Sequence, residues 1–418
     1  MMKKKLYQVT ALILAAVLLL GGCGQKAEKE TEKQTVQDTQ ETSTETKTTA
    51  GTESRQAEKE ETTAARKSGD APEIAGLTYE SAMELTYAEG FDVYYYEGGY
   101  GLIDVHDSAR YLVVPEGKPV PDSLDEDVIV LQQPLDQIYL AATSAMALFA
   151  SMNALDAIRL SGTQASGWYI DDAVKAMESG DILFAGKYSE PDYELLVNEQ
   201  CDLAIESTMI LHSPKVQEMI EMLDIPVFID RSSYESHPLG RTEWIKAYSV
   251  MVDKEDEAKA FFDQQAKVIS DLKDFKNTEK TVAYFYVSTD GSVVVRKPAD
   301  YIPKMIEIGG GRYAFSNLQD ESGKTSIPLT MEEFYATAVD ADYLVYNASI
   351  DAPLTGVEDL LAKSEMFADF KAVKEGNVWT TGKSLYQATD IVGELIRDLN
   401  LMLTGGDASQ MTFLTKVE

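Results

Sequence analysis

From residue 127 onward, apolar residues recur in short runs separated by amphipathic stretches, and this alternation predicts a repeating strand–helix chain. The run DVIVL at 127–131 predicts a strand. The following stretch, 136–151, predicts a helix, with Ile138, Ala141, Ala142, Ala145 and Leu148 at helical spacing. Buried strands are expected at 181–185, 202–205 and 226–229, with helices at 170–178, 191–199 and 213–223 between them. Residues 253–275 form the longest helical pattern free of Gly and Pro, about 34 Å long at 1.5 Å per residue. The alternation then restarts. Strands are expected at 281–287, 293–295, 342–347 and 377–381, with a turn at Asp290-Gly291. Helices are expected at 300–308, 331–339 and 389–405, the first of them closed by Gly309-Gly310-Gly311. Two similar halves therefore flank one long helix. The fold class is α/β, with two lobes built on mostly parallel central sheets, joined by one long rigid helix and enclosing a ligand cleft. The expected divisions are 73–250 for the first lobe, 251–277 for the connecting helix and 278–418 for the second lobe. Residues 74–126, rich in Tyr and Gly, predict edge strands that start the first lobe.

The first residues carry a different pattern. Lys3, Lys4 and Lys5 precede an apolar stretch too short for a comfortable membrane span, followed by small residues and Cys23. Residues 1–23 thus read as a secretory leader. Its end, Leu20-Gly21-Gly22-Cys23, resembles a bacterial lipobox, which implies that Cys23 is lipidated and becomes the mature N-terminus. That places the protein in the cell membrane, anchored by lipid on the outer face of the cytoplasmic membrane. Residues 24–72 are almost all Glu, Lys, Thr, Gln, Ser and Ala. They cannot bury enough apolar surface to offset chain entropy, and read as a disordered tether.

Composition narrows the functional classes. The 418 residues contain 37 Lys and Arg against 70 Asp and Glu, a net charge of −33, which disfavours nucleic acid as a partner. Cys201 has no second mature thiol other than the lipidated one, and it precedes a buried strand, so it reads as a packed core thiol. His106, His212 and His237 lack metal-ligand spacing, and no GxSxG, P-loop, HExxH or CxxC is present. The expectation is a protein that is not an enzyme, with no catalytic residue, no metal site and no cofactor. A membrane-anchored hydrolase, a binder of sugar, peptide or bare metal, and a structural adhesin are the alternatives.

Three stretches in order carry a resemblance: GKYSEPDYE at 186–194, CDLAIESTM at 201–209 and IPVFIDRSSYESHPLGRTEWIK at 225–246. Over roughly 127–410 the chain resembles the siderophore-, haem- and cobalamin-binding lipoproteins of ABC importers, whose two lobes are joined by a rigid helix. The resemblance implies an extracytoplasmic, monomeric carrier that hands a small metal chelate to an ABC permease. A ferric siderophore or related iron chelate is expected, with haem or a corrinoid as the alternative. In α/β sheets ligands sit beyond the carboxyl ends of strands. The candidate contacts there are Trp168, Tyr169, Tyr188, Ser207, Met209 and Arg231 in the first lobe, and Arg296, Arg312 and Tyr386 in the second. Rings offer stacking area and guanidinium groups pair with chelate oxygens. The family also presents a glutamate on each lobe to the permease. Glu194 and Glu332 match those positions, with Glu333 competing because Thr330 and Glu333 have the spacing of a helix capping box.

Overall fold

The computed structural model describes residues 71–272, 274–319 and 325–418. The leader with Cys23 and the tether up to residue 70 lie outside the described residues. Three sheets organise the rest. The first contains β1 (Tyr79–Ala82), β2 (Phe91–Tyr96), β3 (Tyr100–Val105), β4 (Arg110–Val114) and β5 (Val128–Gln132), in sequential order. It is antiparallel except for the β4–β5 pair. Residues 79–132 thus form a sheet of their own, and this corrects the expectation of edge strands on the first lobe. Strict alternation explains it. Phe91, Val93, Ile103, Val105, Tyr111 and Val113 face the main core, while Tyr94, Tyr96, Leu102, Leu112 and Val114 pack with Ile74 on the other face.

The second sheet belongs to the first lobe and is entirely parallel. It combines β6 (Ile138–Leu140), β7 (Ile158–Ser161), β8 (Leu183–Phe184), β11 (Leu203–Ser207) and β12 (Val227–Asp230), in the order β12-β11-β6-β7-β8. A short hairpin of β9 (Gly186–Lys187) and β10 (Glu190–Pro191) follows β8. The helices are α1 (Thr143–Ser151), α2 (Asp171–Ser179), α3 (Tyr193–Asn198) and α4 (Pro214–Glu221). Two expectations are revised here. The 127–131 strand, β5, pairs in the first sheet, and the predicted 136–151 helix opens as strand β6. Ile138, Tyr139 and Leu140 are buried on both faces of the sheet, which a period-3.6 reading of the same apolar residues does not separate from a helix.

The chain then leaves the first lobe through three helices, α5 (Pro238–Glu243), α6 (Ile245–Met251) and α7 (Glu255–Leu272). The 18 residues of α7 make it the longest described helix, about 27 Å, and it packs on α6 and on α12 (Val392–Thr404) of the second lobe. The approach to α12 is close at Gly393, where an added Cβ would lie 3.1 Å from Gln265 Oε1 and 3.3 Å from Val268 Cβ.

The second-lobe sheet is mixed. Its parallel centre is β13 (Thr281–Val287), β17 (Tyr343–Tyr346) and β18 (Val378–Thr381). Antiparallel β14 (Val293–Arg296), β16 (Ser326–Leu329) and β19 (Leu414–Lys416) extend it, and β15 (Arg312–Tyr313) pairs with the start of β13. Helices α8 (Tyr301–Ile308) and α12 cover one face. Helices α9 (Met331–Ala338), α10 (Val357–Lys363) and α11 (Lys371–Lys374) belong to the other, where Phe285 meets Phe334 at 4.6 Å and Phe367 at 5.6 Å.

Candidate functional site

Parallel strands send all their carboxyl ends to one edge of a sheet, and the residues just past those ends form the rim on which a ligand can sit. Twelve large apolar side chains are exposed among the described residues, and six of them lie on these rims. Tyr169 follows β7, Phe184 ends β8, Leu211 follows β11 and Tyr234 follows β12. In the second lobe, Ile350 follows β17 and Tyr386 follows β18. Single exposed apolar residues are ordinary on a protein surface, but a set drawn from six strand ends marks an interaction face.

The two rims meet. Tyr169 and Tyr386 form an edge-to-face pair with centroids 6.2 Å apart, and both rings are still more than 40% exposed. Behind them Gln387 is 1% exposed and spans the lobes. Its Oε1 accepts the Tyr169 N–H at 2.8 Å, while its Nε2 donates to Gly167 O at 2.8 Å and to the Tyr386 hydroxyl at 2.8 Å. Burial raises the Tyr386 phenol, so the ring enters any contact uncharged. A second bridge runs from the Ser151 hydroxyl on α1 to Asp390 at 2.7 Å, and a third from the Thr242 hydroxyl to Thr389 O at 2.8 Å.

The other sequence-derived positions divide. Ser207 caps the short turn 208–212, accepting the Met209 N–H at 3.4 Å, so Ser207 and Met209 sit at the end of β11, both half-buried. Tyr188 is half-buried at the tip of the β9–β10 hairpin. Trp168 is only 4% exposed and donates its Nε1–H to Ser161 at 3.1 Å, which makes it a wall of the core behind Tyr169. Arg231 stacks on Tyr234 at 5.1 Å. It also lines a cavity of about 270 Å³ with Tyr111, Ile129, Leu211 and Gln217, at the junction of the first sheet and the first lobe.

Arg296 and Arg312 are carried away from the rim. β14 runs antiparallel to β13, with Val293 beside Val287, so Arg296 at its other end lies alongside the middle of β13. Arg312 pairs with Thr281, the first residue of β13, and makes a surface ion pair with Glu279 at 3.1 Å. Near the lobe junction Arg296 is joined by a second positive charge, Arg241, which sequence reasoning missed. Arg241 on α5 lies 4.1 Å over the Tyr301 ring, and its buried Nε has no hydrogen-bond partner among the described residues. Asp300, 3.8 Å from Arg296, has its pKa raised by burial, against which both Arg296 and Arg241 act. Arg241 lies within the 225–246 stretch that carries the resemblance, but no local pattern marks it or Gln387 as a contact, and their positions emerge only from the packing of α5 and residues 383–387 across the lobes.

Glu194 and Glu332 are exposed in the first turns of α3 and α9. Asp192 caps α3 by accepting the Leu195 N–H at 3.0 Å, leaving Glu194 outside the cap. At α9 the capping box forms: Glu333 accepts the Thr330 N–H at 2.8 Å, and the Thr330 hydroxyl accepts the Glu333 N–H at 3.2 Å. Those bonds hold the Glu333 carboxyl below its ordinary pKa and occupy it locally. Cys201 is buried, with its thiol pushed up to about 12, mainly by burial. His237 caps α5 through Nδ1 and stacks on Tyr87 at 4.4 Å. Among the described residues no group of three His, Cys, Asp or Glu is placed to hold a metal ion, and no helix is long and apolar enough to cross a membrane.

Comparison with known proteins adds three findings. The family model described as "Periplasmic binding protein" matches residues 149–385. An uncharacterized lipoprotein of Methanocaldococcus jannaschii is 25% identical over 349 residues, covering 76% of this chain and 81% of the relative. Two solved structures share the fold at 16% identity and a TM-score of 0.51. One is a possible iron-binding (periplasmic solute-binding) protein of Staphylococcus epidermidis, covering 65% of this chain and 99% of its own. The other is a periplasmic heme binding protein of Vibrio cholerae, covering 64% and 97%.

Proposed function

The chain belongs to the periplasmic binding protein family, and from that premise we propose that it captures a ferric siderophore or related iron chelate between its lobes and delivers it to an ABC permease. In this reading the body is held on the outer face of the cytoplasmic membrane through a lipid on Cys23. The observation that carries the proposal is the apolar and aromatic rim at six strand ends, with Tyr169 and Tyr386 facing each other across the lobes. An uncharged, ring-rich rim suits the planar or macrocyclic body of a metal chelate, and Arg231 and Arg241 can answer peripheral carboxylates or hydroxamates. Haem and corrinoids would use the same rim. The similar Staphylococcus and Vibrio proteins, one possibly iron-binding and the other heme-binding, support this cargo class.

Trp168 lies directly behind Tyr169, so fluorescence reports occupancy. Titration with a ferric hydroxamate, a ferric catecholate, haem and a cobalamin should give saturable quenching by one of them. Tyr169→Ala and Tyr386→Ala should each weaken that binding about tenfold, the order expected for removal of a stacking ring. Both rings are partly exposed, so melting temperatures should stay close to wild type. Absence of saturable quenching by all four chelates defeats the cargo assignment.

A further inference from the structure

Glu206 is a carboxyl group the cargo reading does not use. It is fully buried near the end of β11, and neither of its oxygens has a hydrogen-bond partner among the described residues. Alternation along β11 sends Leu203 and Ile205 to the main core and Ala204 to the opposite face, where Glu206 follows it. There it is walled in. Ile229 pairs beside it on β12, and α3 and α4 close the face with Leu196, Val216 and Ile220. The ionisable groups facing it are the phenols of Tyr139 from β6 and Tyr193 from α3, and β12 and α4 contribute only apolar side chains to this cluster. No cation acts on Glu206: burial alone raises it, to about 8. An ionised carboxylate without a cation or N–H donor costs several kcal/mol in such a place. The group therefore stays protonated at neutral pH.

One side of the cover over Glu206 is a corner of the chain, with Tyr193 and Leu196 of α3, while β12 and α4 close the other. Tyr193 opens α3, which follows directly from the β9–β10 hairpin, and the Tyr139 hydroxyl donates to Gly186 O at the base of that hairpin at 2.9 Å. The corner of residues 186–198 carries both Tyr188 and Glu194. We propose that opening of this corner is coupled to the release of one proton from Glu206, so that acid holds the corner shut and base loosens it. The closed corner keeps the acid neutral. In the open corner water reaches the carboxyl, which loses its proton to solvent. The consequence for cargo and permease rests on the function proposed above, whereas the opening itself does not.

The sign follows from linkage. The closed state binds the proton more tightly than the open state, so its advantage is fully present below the ordinary carboxyl value of about 4.5. That advantage is lost as pH rises to about 8, and it levels off beyond. Amide exchange of the full-length chain, corrected for intrinsic rates, reads this directly. Protection of 186–198 should fall by up to tenfold per pH unit between pH 5 and pH 8, while β17 in the second lobe keeps its own profile. Glu206→Gln is nearly isosteric and has no proton to lose. Its protection over 186–198 should be independent of pH, and Glu206→Leu should behave the same way if the Gln variant folds poorly. A wild-type profile flat with pH overturns the proposal, as does an equal slope in the Gln and Leu variants. If the slopes separate but no chelate binds, the proton coupling stands and the cargo reading falls.

Discussion

At the residue scale the protein hides two carboxylates that hold distant segments together. Glu243 is fully buried and accepts N–H bonds from Thr86, Tyr87 and Ala88 at 2.7–3.0 Å, while Lys246 donates to it at 2.7 Å. Glu235 does the same for Glu89 and Gly90 at 2.9 and 2.8 Å, and takes the Trp244 Nε1–H at 2.9 Å. Each of these carboxyl groups is met by several donors, unlike Glu206. Glu243→Ala would strand three amide donors and take the carboxylate from Lys246, whose ammonium keeps only the Glu84 carbonyl at 2.8 Å, at a cost of about 3–5 kcal/mol. A urea titration should show the midpoint fall with the slope unchanged. None of this is visible in the sequence. The backbone partners are 145 or more residues away, and a glutamate in YESHPLGRTEW reads as any solvated acid until the fold brings residues 84–90 over it.

At the element scale, legibility followed burial. β11, β12, β13, β17 and β18 are strands buried on both faces, and each contains an apolar run that the strand–helix alternation places within a residue or two. β6 escaped because three buried residues leading into a helix share the spacing of that helix. The misplacement of Arg296 has another cause. A turn at Asp290-Gly291 reverses the chain, so residues past it move away from the rim that β13 approaches, and a rule based on strand ends applies only to the parallel members. The connecting helix was expected over 253–275, and α7 spans Glu255–Leu272. Its grip on α12 depends on Gly393. Gly393→Leu should push the two helices apart at Gln265 and Val268, costing about 1–3 kcal/mol. A lower melting temperature would show it, whereas a Leu variant as stable as wild type would mean that α7 does not depend on this contact.

At the scale of the whole molecule, the proposed function gives the rim and the two exposed glutamates different partners. In the proposed transport cycle, Glu194 and Glu332 meet basic residues of the permease, where such pairs govern the rate and register of encounter more than final affinity. Glu194→Ala and Glu332→Ala should therefore leave chelate titrations unchanged and slow uptake into reconstituted vesicles, most visibly at low salt. Uptake at the wild-type rate in the double variant would reassign those carboxylates to solvent.

The first sheet adds a mechanical consequence. Residue 71 adjoins Ile74, which is packed on the outer face of that sheet, and residues 84–90 are tied by Glu235 and Glu243 to the segment that leads into α5 and α6. A pull on the chain at residue 71 is therefore carried first by that sheet and by the buried bonds that fasten it to the segment leading into α5 and α6. Were the chain anchored as proposed, a tug from that side would load these buried bonds before it reached Tyr169 and Tyr386.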